Sequence, residues 1–442
     1  MRPSRLSFPM FGRLAELILS SNPRILGALR SAYSHVFLDE FQNTTHIQYD
    51  LLKTAFLGSA ASLTAVGDNK QRIMGFAMAL RDAFGPFEAD FSATCHRLRR
   101  NYRSVSELVR VQKILADAID PRAAPPEAAG RDAGLEGKCI IWTFPDPDVE
   151  ARFLASYVAH LIKKEGAGPR DISVLVKQRA DLYAQGLIRG LGALGIRARV
   201  EAELQDLLAE PLTEAILDFL KLALHARNAN AWGRIVELLA ATRPGEDFAR
   251  TLPLLEHDLA QFRKACRDKL LAIDAADHLS ELVRDIVLFI GDAYRALFPQ
   301  YRQGDLQARV VKGCVAALWG VFEGTKSWEQ AVLQFEGHES VPIMTIHKSK
   351  GLEYHSVIFV GLEDSAFWSF KQQSEEDRNA FFVAYSRAKR NVVFTFSATR
   401  QSNPRRSVEQ QSRREIGELY QLLLKAGVRE RHIKEWPPAK SS

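Results

Sequence analysis

Apolar residues recur at helical spacing across residues 11–30 (Phe11, Leu14, Leu17 and Ile18, then Ile25, Leu26 and Leu29), and Ser21-Asn22-Pro23 interrupts them. Residues three and four apart share a helix face and proline does not continue a helix, so the pattern predicts two short helices and a turn. His35 to Leu38 is a short apolar run ending in two carboxylates, and Ser62 to Val66 is another ending in Gly67-Asp68. Such runs alternate with helical stretches at 46–57 and 104–118, which predicts a parallel α/β sheet with its ligand at the carboxyl ends of the strands. Residues 121–137, rich in Ala, Pro and Gly, read as a linker or surface loop. A second α/β pattern follows, with strands at 139–142 and 172–176 and helices at 149–163 and 180–193. From about 205 to 335 the period is helical almost throughout, as in Leu212, Ile216, Leu217 and Leu220, and strand-like runs return at 341–346, 356–362 and 391–397.

The chain has 442 residues, 46% hydrophobic and 25% charged, the balance of a soluble globular protein with room for several cores. Fifty-nine Lys+Arg against 53 Asp+Glu leave a formal charge of +6, too small an excess to indicate a nucleic-acid partner by itself. Cys95, Cys139, Cys266 and Cys314 stand far apart without a C-x-x-C pair, which suggests neither a zinc site nor a disulfide framework and fits a reducing, cytoplasmic setting. No run approaches the roughly 18 apolar residues of a membrane span.

Chemistry is concentrated in five segments: Val36-Phe37-Leu38-Asp39-Glu40-Phe41-Gln42, Val66-Gly67-Asp68-Asn69-Lys70-Gln71, Asn101-Tyr102-Arg103-Ser104, Thr345-Ile346-His347-Lys348-Ser349-Lys350-Gly351-Leu352-Glu353 and Val383-Ala384-Tyr385-Ser386-Arg387-Ala388-Lys389. Phosphoryl transfer to water needs a cation on the phosphates, a group that activates water and positive charge against the transferred phosphoryl. Strand-end carboxylates and arginines from separate segments supply candidates for each.

In order and spelling these segments resemble motifs II to VI of the UvrD/Rep-like superfamily 1 DNA helicases, and the resemblance spans residues 36 to about 396. It implies two RecA-like P-loop NTPase motor domains, the first incomplete, with a mostly helical insertion in the second. The expected division is 1–100 for the remainder of the first motor domain, 101–204 for the start of the second, 205–335 for the insertion, and 336–442 for the completion and tail. By resemblance Asp39 binds Mg²⁺ and Glu40 is the catalytic base. Gln71 senses the γ-phosphate, and Arg103 and Arg387 reach it across the cleft. Gly351 lets a ligand approach and Glu353 accepts a hydrogen bond from the ribose of ATP. Thr345, His347, Lys348 and Lys350 line the DNA path or hold its loop, and Tyr102 serves packing. Arg97, Arg99 and Arg100, with Phe367, Trp368 and Phe370, are further candidates for single-strand contact, since such sites pair basic residues with aromatic platforms.

The implied activity is ATP-dependent translocation, 3′ to 5′, on single-stranded or partly duplex DNA. Against it stands the absence of any G-x-x-x-x-G-K-[ST] segment in the 442 residues. One expectation is a separate polypeptide that carries this Walker A region. The alternative is a truncated or degenerate helicase that binds DNA or protein without its own ATPase. Smaller departures are Asn43 and Lys70 in place of acidic residues, Met74 in place of an aromatic, and Ala77-Met78 in place of Arg-Gly.

Overall fold

The computed structural model describes residues 6–75, 78–121, 123–225, 227–242, 248–302, 304–401 and 407–434. Ala77, and the predicted tail from residue 435 onward, lie outside the described residues. The chain forms two compact units, one of Met1–Ala167, Asp171–Gly190 and Met344–Ser442, the other of Gly168–Arg170 and Leu191–Ile343.

The first unit is α/β. Helices Phe8–Ser21 and Pro23–Ala32 are separated by Asn22, whose side chain accepts the backbone N–H groups of Arg24 and Ile25 and so caps the second helix. Strands His35–Leu38 and Ser62–Ala65 then pair in parallel. Helix His46–Phe56 between them starts with a reciprocal cap: Thr45 accepts the Gln48 N–H while the Gln48 side chain accepts the Thr45 N–H.

A larger parallel sheet follows in the order Arg429–His432, Lys138–Phe144, Ala388–Ser397, Tyr354–Phe359 and Ile172–Val176. Its central strands are apolar on both faces, and all five residues of Ile172–Val176 are buried, as a sheet covered by helices on both sides requires. Helix Ser374–Ser386 is buried along most of its length and delivers Arg387 at its C-terminus.

Three sequence expectations change. The predicted linker 121–137 contains Glu127–Ala128, which pairs in parallel with Arg100–Asn101. The predicted helix at 180–193 is two, Ala180–Tyr183 and Gln185–Ala193. Gly186 and Gly190 of the second lie so close to Ala151 and Ala155 that an added Cβ would stand 3.2 Å from each methyl, so backbone proximity rather than apolar period sets its position. The edge strand Arg429–His432 is fully polar in sequence and carried no hydrophobic signal.

The second unit is helical from Ala202 to Glu336 among the described residues. Helices Pro211–Leu224, Ala229–Ala241, Ala276–Ile290, Leu306–Thr325 and Trp328–Glu336 share one apolar core with Phe248–Leu271. Phe262 and Phe289 stack at 4.0 Å between ring centres, and Phe322 and Trp328 at 3.9 Å. Asp218, buried in this core, is neutralised by a two-pronged contact from Arg234 at 2.6 and 2.7 Å. The unit also pairs strand Arg197–Val200 in parallel with Ser340–Ile343.

Candidate active site

Strand His35–Leu38 ends in Asp39, and the chain turns at Glu40 through a left-handed backbone (φ +51°) into a tight turn at Phe41–Asn43. A non-glycine residue held there stores roughly 1–3 kcal/mol of strain, so the surroundings must impose it. They do. The Phe41 N–H donates to the Val66 carbonyl at 2.9 Å. Buried Gln42 donates to Glu40 Oε2 at 2.6 Å and accepts the Asp68 N–H at 3.0 Å. Gly67 makes room for this clamp, because a Cβ there would come within 2.1 Å of Gln42 Oε1. The two strand ends are thus locked together by a side chain at position 42 that the sequence reading assigned no role.

Residues far apart in sequence converge on these turns. Lys350 Nζ lies 2.6 Å from Glu40 Oε2, so it holds the candidate base in this conformation. Gln71 donates to Asp68 Oδ2 at 3.2 Å and accepts from Arg387 Nη2 at 2.9 Å. Lys70, one of the departures noted above, pairs with Asp68 at 2.7 Å. The Asn379 amide donates to the Arg72 carbonyl at 2.9 Å, fixing the 69–72 turn against the helix that ends at Arg387.

Arg387 is buried and also donates to the carbonyls of Val383 and Leu352 and to Ser386 Oγ. Burial, then the neighbouring Arg103, push its pKa down to about 10, still well above neutrality, so it remains a cation. Arg103 donates to Glu353 Oε2 at 2.9 Å and to the Ser386 carbonyl at 2.9 Å. Glu353 is shared with Lys389 at 2.8 Å, and these hydrogen bonds, Lys389 first and Arg103 second, hold its carboxyl below the usual range.

A cavity of about 580 Å³ opens beside this cluster, lined by Asp68, Lys70, Arg99, Tyr102, Arg103 and Glu353 among others. Tyr102 is 66% exposed, which corrects the expectation that it serves packing. Its neighbour Arg103 carried the only signal that could have drawn attention to it. Arg99 and Arg100 line the same cavity, and Arg99 pairs with Glu127 at 2.7 Å.

Gly351 adopts φ +83°, a conformation that favours glycine, and an added Cβ would meet no protein atom within 4 Å. Thr345 ends its strand, and the Ile346 N–H donates to the Val176 carbonyl at 3.0 Å. His347 contacts the backbone of Ile73, and partial desolvation followed by nearby Lys177 holds its pKa below the ordinary value. Lys348 follows it in the same turn at His347–Ser349. Of the aromatic candidates, Phe367 and Phe370 are core residues at 1% and 5% exposure, while Trp368 is 71% exposed. Met74 is partly buried.

Magnesium that arrives with a nucleotide needs one or two carboxylates, with phosphate and water completing its shell. Asp39 fits. It is exposed, and one oxygen, Oδ1, accepts the Glu40 N–H at 2.8 Å. Among the described residues no group of three or more His, Cys, Asp or Glu stands together as a metal cage.

Residues 96–308 and 323–399 match the UvrD-like helicase C-terminal domain, and residues 6–92 match the UvrD/REP helicase N-terminal domain. The chain is 26% identical over 443 aligned positions to a DNA helicase II of Haemophilus influenzae, an alignment that covers 88% of this chain and 58% of that protein. It is 25% identical to the DNA helicase II of Escherichia coli, over 87% of this chain and 60% of the relative. The DNA helicase II of Salmonella typhimurium gives the same figures. The chain therefore spans about three fifths of the length of these relatives.

Proposed function

This chain belongs to the UvrD-like helicase family, and from that premise we propose that it forms most of an ATP-driven motor of UvrD/Rep type that moves 3′ to 5′ on single-stranded or partly duplex DNA. The observation that carries the reading is the convergence of Arg387 on Gln71 and of Lys350 on Glu40 at two strand ends, each contact joining residues more than 300 positions apart. We assign residues 1–100 to one RecA-like motor domain, 101–204 with 336–442 to the second, and 205–335 to its helical insertion.

In this reading Asp39 would hold Mg²⁺, directly or through water, and the ion would neutralise phosphate charge. Glu40 takes the proton of the attacking water once Lys350 leaves it. Arg103 and Arg387 oppose the charge on the transferred phosphoryl, and Gln71 links Arg387 to the Asp68 turn. Glu353 binds the ribose, Gly351 leaves room beside it, and the exposed Tyr102 ring is a surface for the base. Thr345, His347 and Lys348 face the nucleic-acid strand, while Lys350 acts on Glu40.

Hydrolysis requires a phosphate-binding loop, and no G-x-x-x-x-G-K-[ST] segment occurs in these 442 residues. We propose that a phosphate-binding segment outside these 442 residues seats on the apolar cavity of about 820 Å³ that runs from Ile18 and Leu29 past Phe37 to Asp39 and Glu40. A second reading, a module that binds without hydrolysing, is favoured by the Lys350–Glu40 pair, which neutralises the candidate base.

The test is ATP hydrolysis by the 442-residue chain, with and without single-stranded DNA, alone and with a phosphate-loop polypeptide added, beside Glu40→Gln. DNA-stimulated turnover that falls by roughly 100-fold or more in Glu40→Gln supports the motor, the size expected on removing a general base. No turnover under any condition, with DNA binding intact, establishes the second reading.

A further inference from the structure

An exposed tryptophan lies on the first unit, outside the cluster just described. Loops 177–179, 346–353 and 360–373 leave the carboxyl ends of parallel strands, and two bonds to the strand Ile172–Val176, Ile346 N–H to the Val176 carbonyl and Val360 N–H to the Leu175 carbonyl, hold them side by side. Phe367 and Phe370 root the third loop in the core, Phe367 against Phe359 at 6.1 Å between ring centres. Trp368 between them points the other way, with 71% of its surface exposed.

Its indole is nevertheless held. Nε1 donates to Gln178 Oε1 at 3.4 Å, and Gln178 Nε2 donates to the Ala366 carbonyl at 3.4 Å. Gln178 thus bridges two loops and orients the ring, and it leaves the ring's π-faces uncovered by any other aromatic group among the described residues. Arg179, next in sequence, sits in a left-handed backbone at φ +52°. Among the described residues its guanidinium makes no hydrogen bond or ion pair. An oriented, exposed indole, with an unpaired cation next in sequence to the glutamine that holds it, suits a single strand, the ring taking a base face and the cation a phosphate.

We propose that Trp368 is a stacking platform for one base of a single nucleic-acid strand, oriented by Gln178, with Arg179 as the adjoining phosphate contact. The proposal rests on the reading of this chain as a nucleic-acid motor and adds to it a binding site outside the nucleotide cluster.

Fluorescence anisotropy with labelled oligo-dT, and with an abasic oligonucleotide of equal length, tests it at several salt concentrations. Trp368→Ala weakens oligo-dT binding by about 5- to 150-fold, the span of one base–aromatic stack, and Trp368→Phe recovers most of it. The abasic strand binds wild type and Trp368→Ala equally, because it has no base to stack. Arg179→Ala lowers the slope of log affinity against log salt by about one on both strands. If wild type binds oligo-dT and Trp368→Ala binds it as well, the platform is wrong and the motor reading stands. Equal losses on both strands in Trp368→Ala overturn the platform too, since they report a contact with something other than a base. If wild type binds neither strand at low salt, the nucleic-acid reading itself fails and the platform falls with it.

Discussion

Glu40 and Gly67 show how single positions set the site. Gln42 occupies the space that any side chain at 67 would need, and it is Gln42 that ties Glu40 to the Asp68 turn. Gly67→Ala should therefore cost about 1–3 kcal/mol of stability by overpacking, read from urea unfolding; an unchanged midpoint would mean that Gln42 yields freely. A second residue-scale effect comes from Glu363, fully buried on Arg400, which it shares with Glu150. Burial, opposed by Arg400 and reinforced by Glu150, raises the Glu363 pKa to about 7. The folded protein keeps this proton at pH values where the unfolded chain, with a pKa near 4.5, has released it. Stability from this group is thus full below about pH 4.5 and is lost as the pH rises through about 7. Between pH 5 and pH 8 the melting temperature of wild type should fall more than that of Glu363→Gln, and parallel profiles would sink the assignment.

Among the elements, helix starts have local causes. Thr45 with Gln48, and Asp146 before Pro147, are local capping signals that act through the nearest backbone N–H groups. Thr45→Ala should lose about 1 kcal/mol, measured by thermal or chemical unfolding, because it leaves an N–H of helix His46–Phe56 without its partner. Buried strands such as Ile172–Val176 announced themselves as apolar runs. Arg429–His432 did not, since an edge strand needs only backbone partners, here from Lys138–Phe144, and its side chains can all be polar. The split at Ala184 was equally silent, because it follows from the approach of Gly186 and Gly190 to another helix.

At the scale of the molecule the salient property is the apolar surface of residues 6–66. Phe8 is 93% exposed, Phe37 75% and Leu17 59%, and the cavity at Phe37 runs directly to Asp39 and Glu40. Exposed apolar surface of this kind drives association. The isolated chain should self-associate in sedimentation velocity at micromolar concentration, and Ile18→Ser with Phe37→Ser should shift it toward monomer without altering the core. A monomeric wild type would show that this face is stable in water as it stands. The net charge of +6 is too small to keep such surfaces apart by repulsion.

The sequence by itself determined the parallel α/β pattern of the first unit, the helical character of 205–335 and the five chemical segments, because periodicity and motif spelling are short-range properties written in neighbouring residues. The tertiary structure alone decided that Lys350 rests on Glu40, that Arg387 reaches Gln71, that Tyr102 faces a cavity, and that Trp368 is exposed while Phe367 and Phe370 are buried. These depend on which strand ends and loops become neighbours across hundreds of residues, and so on chain topology and packing, which the local pattern of residues does not encode.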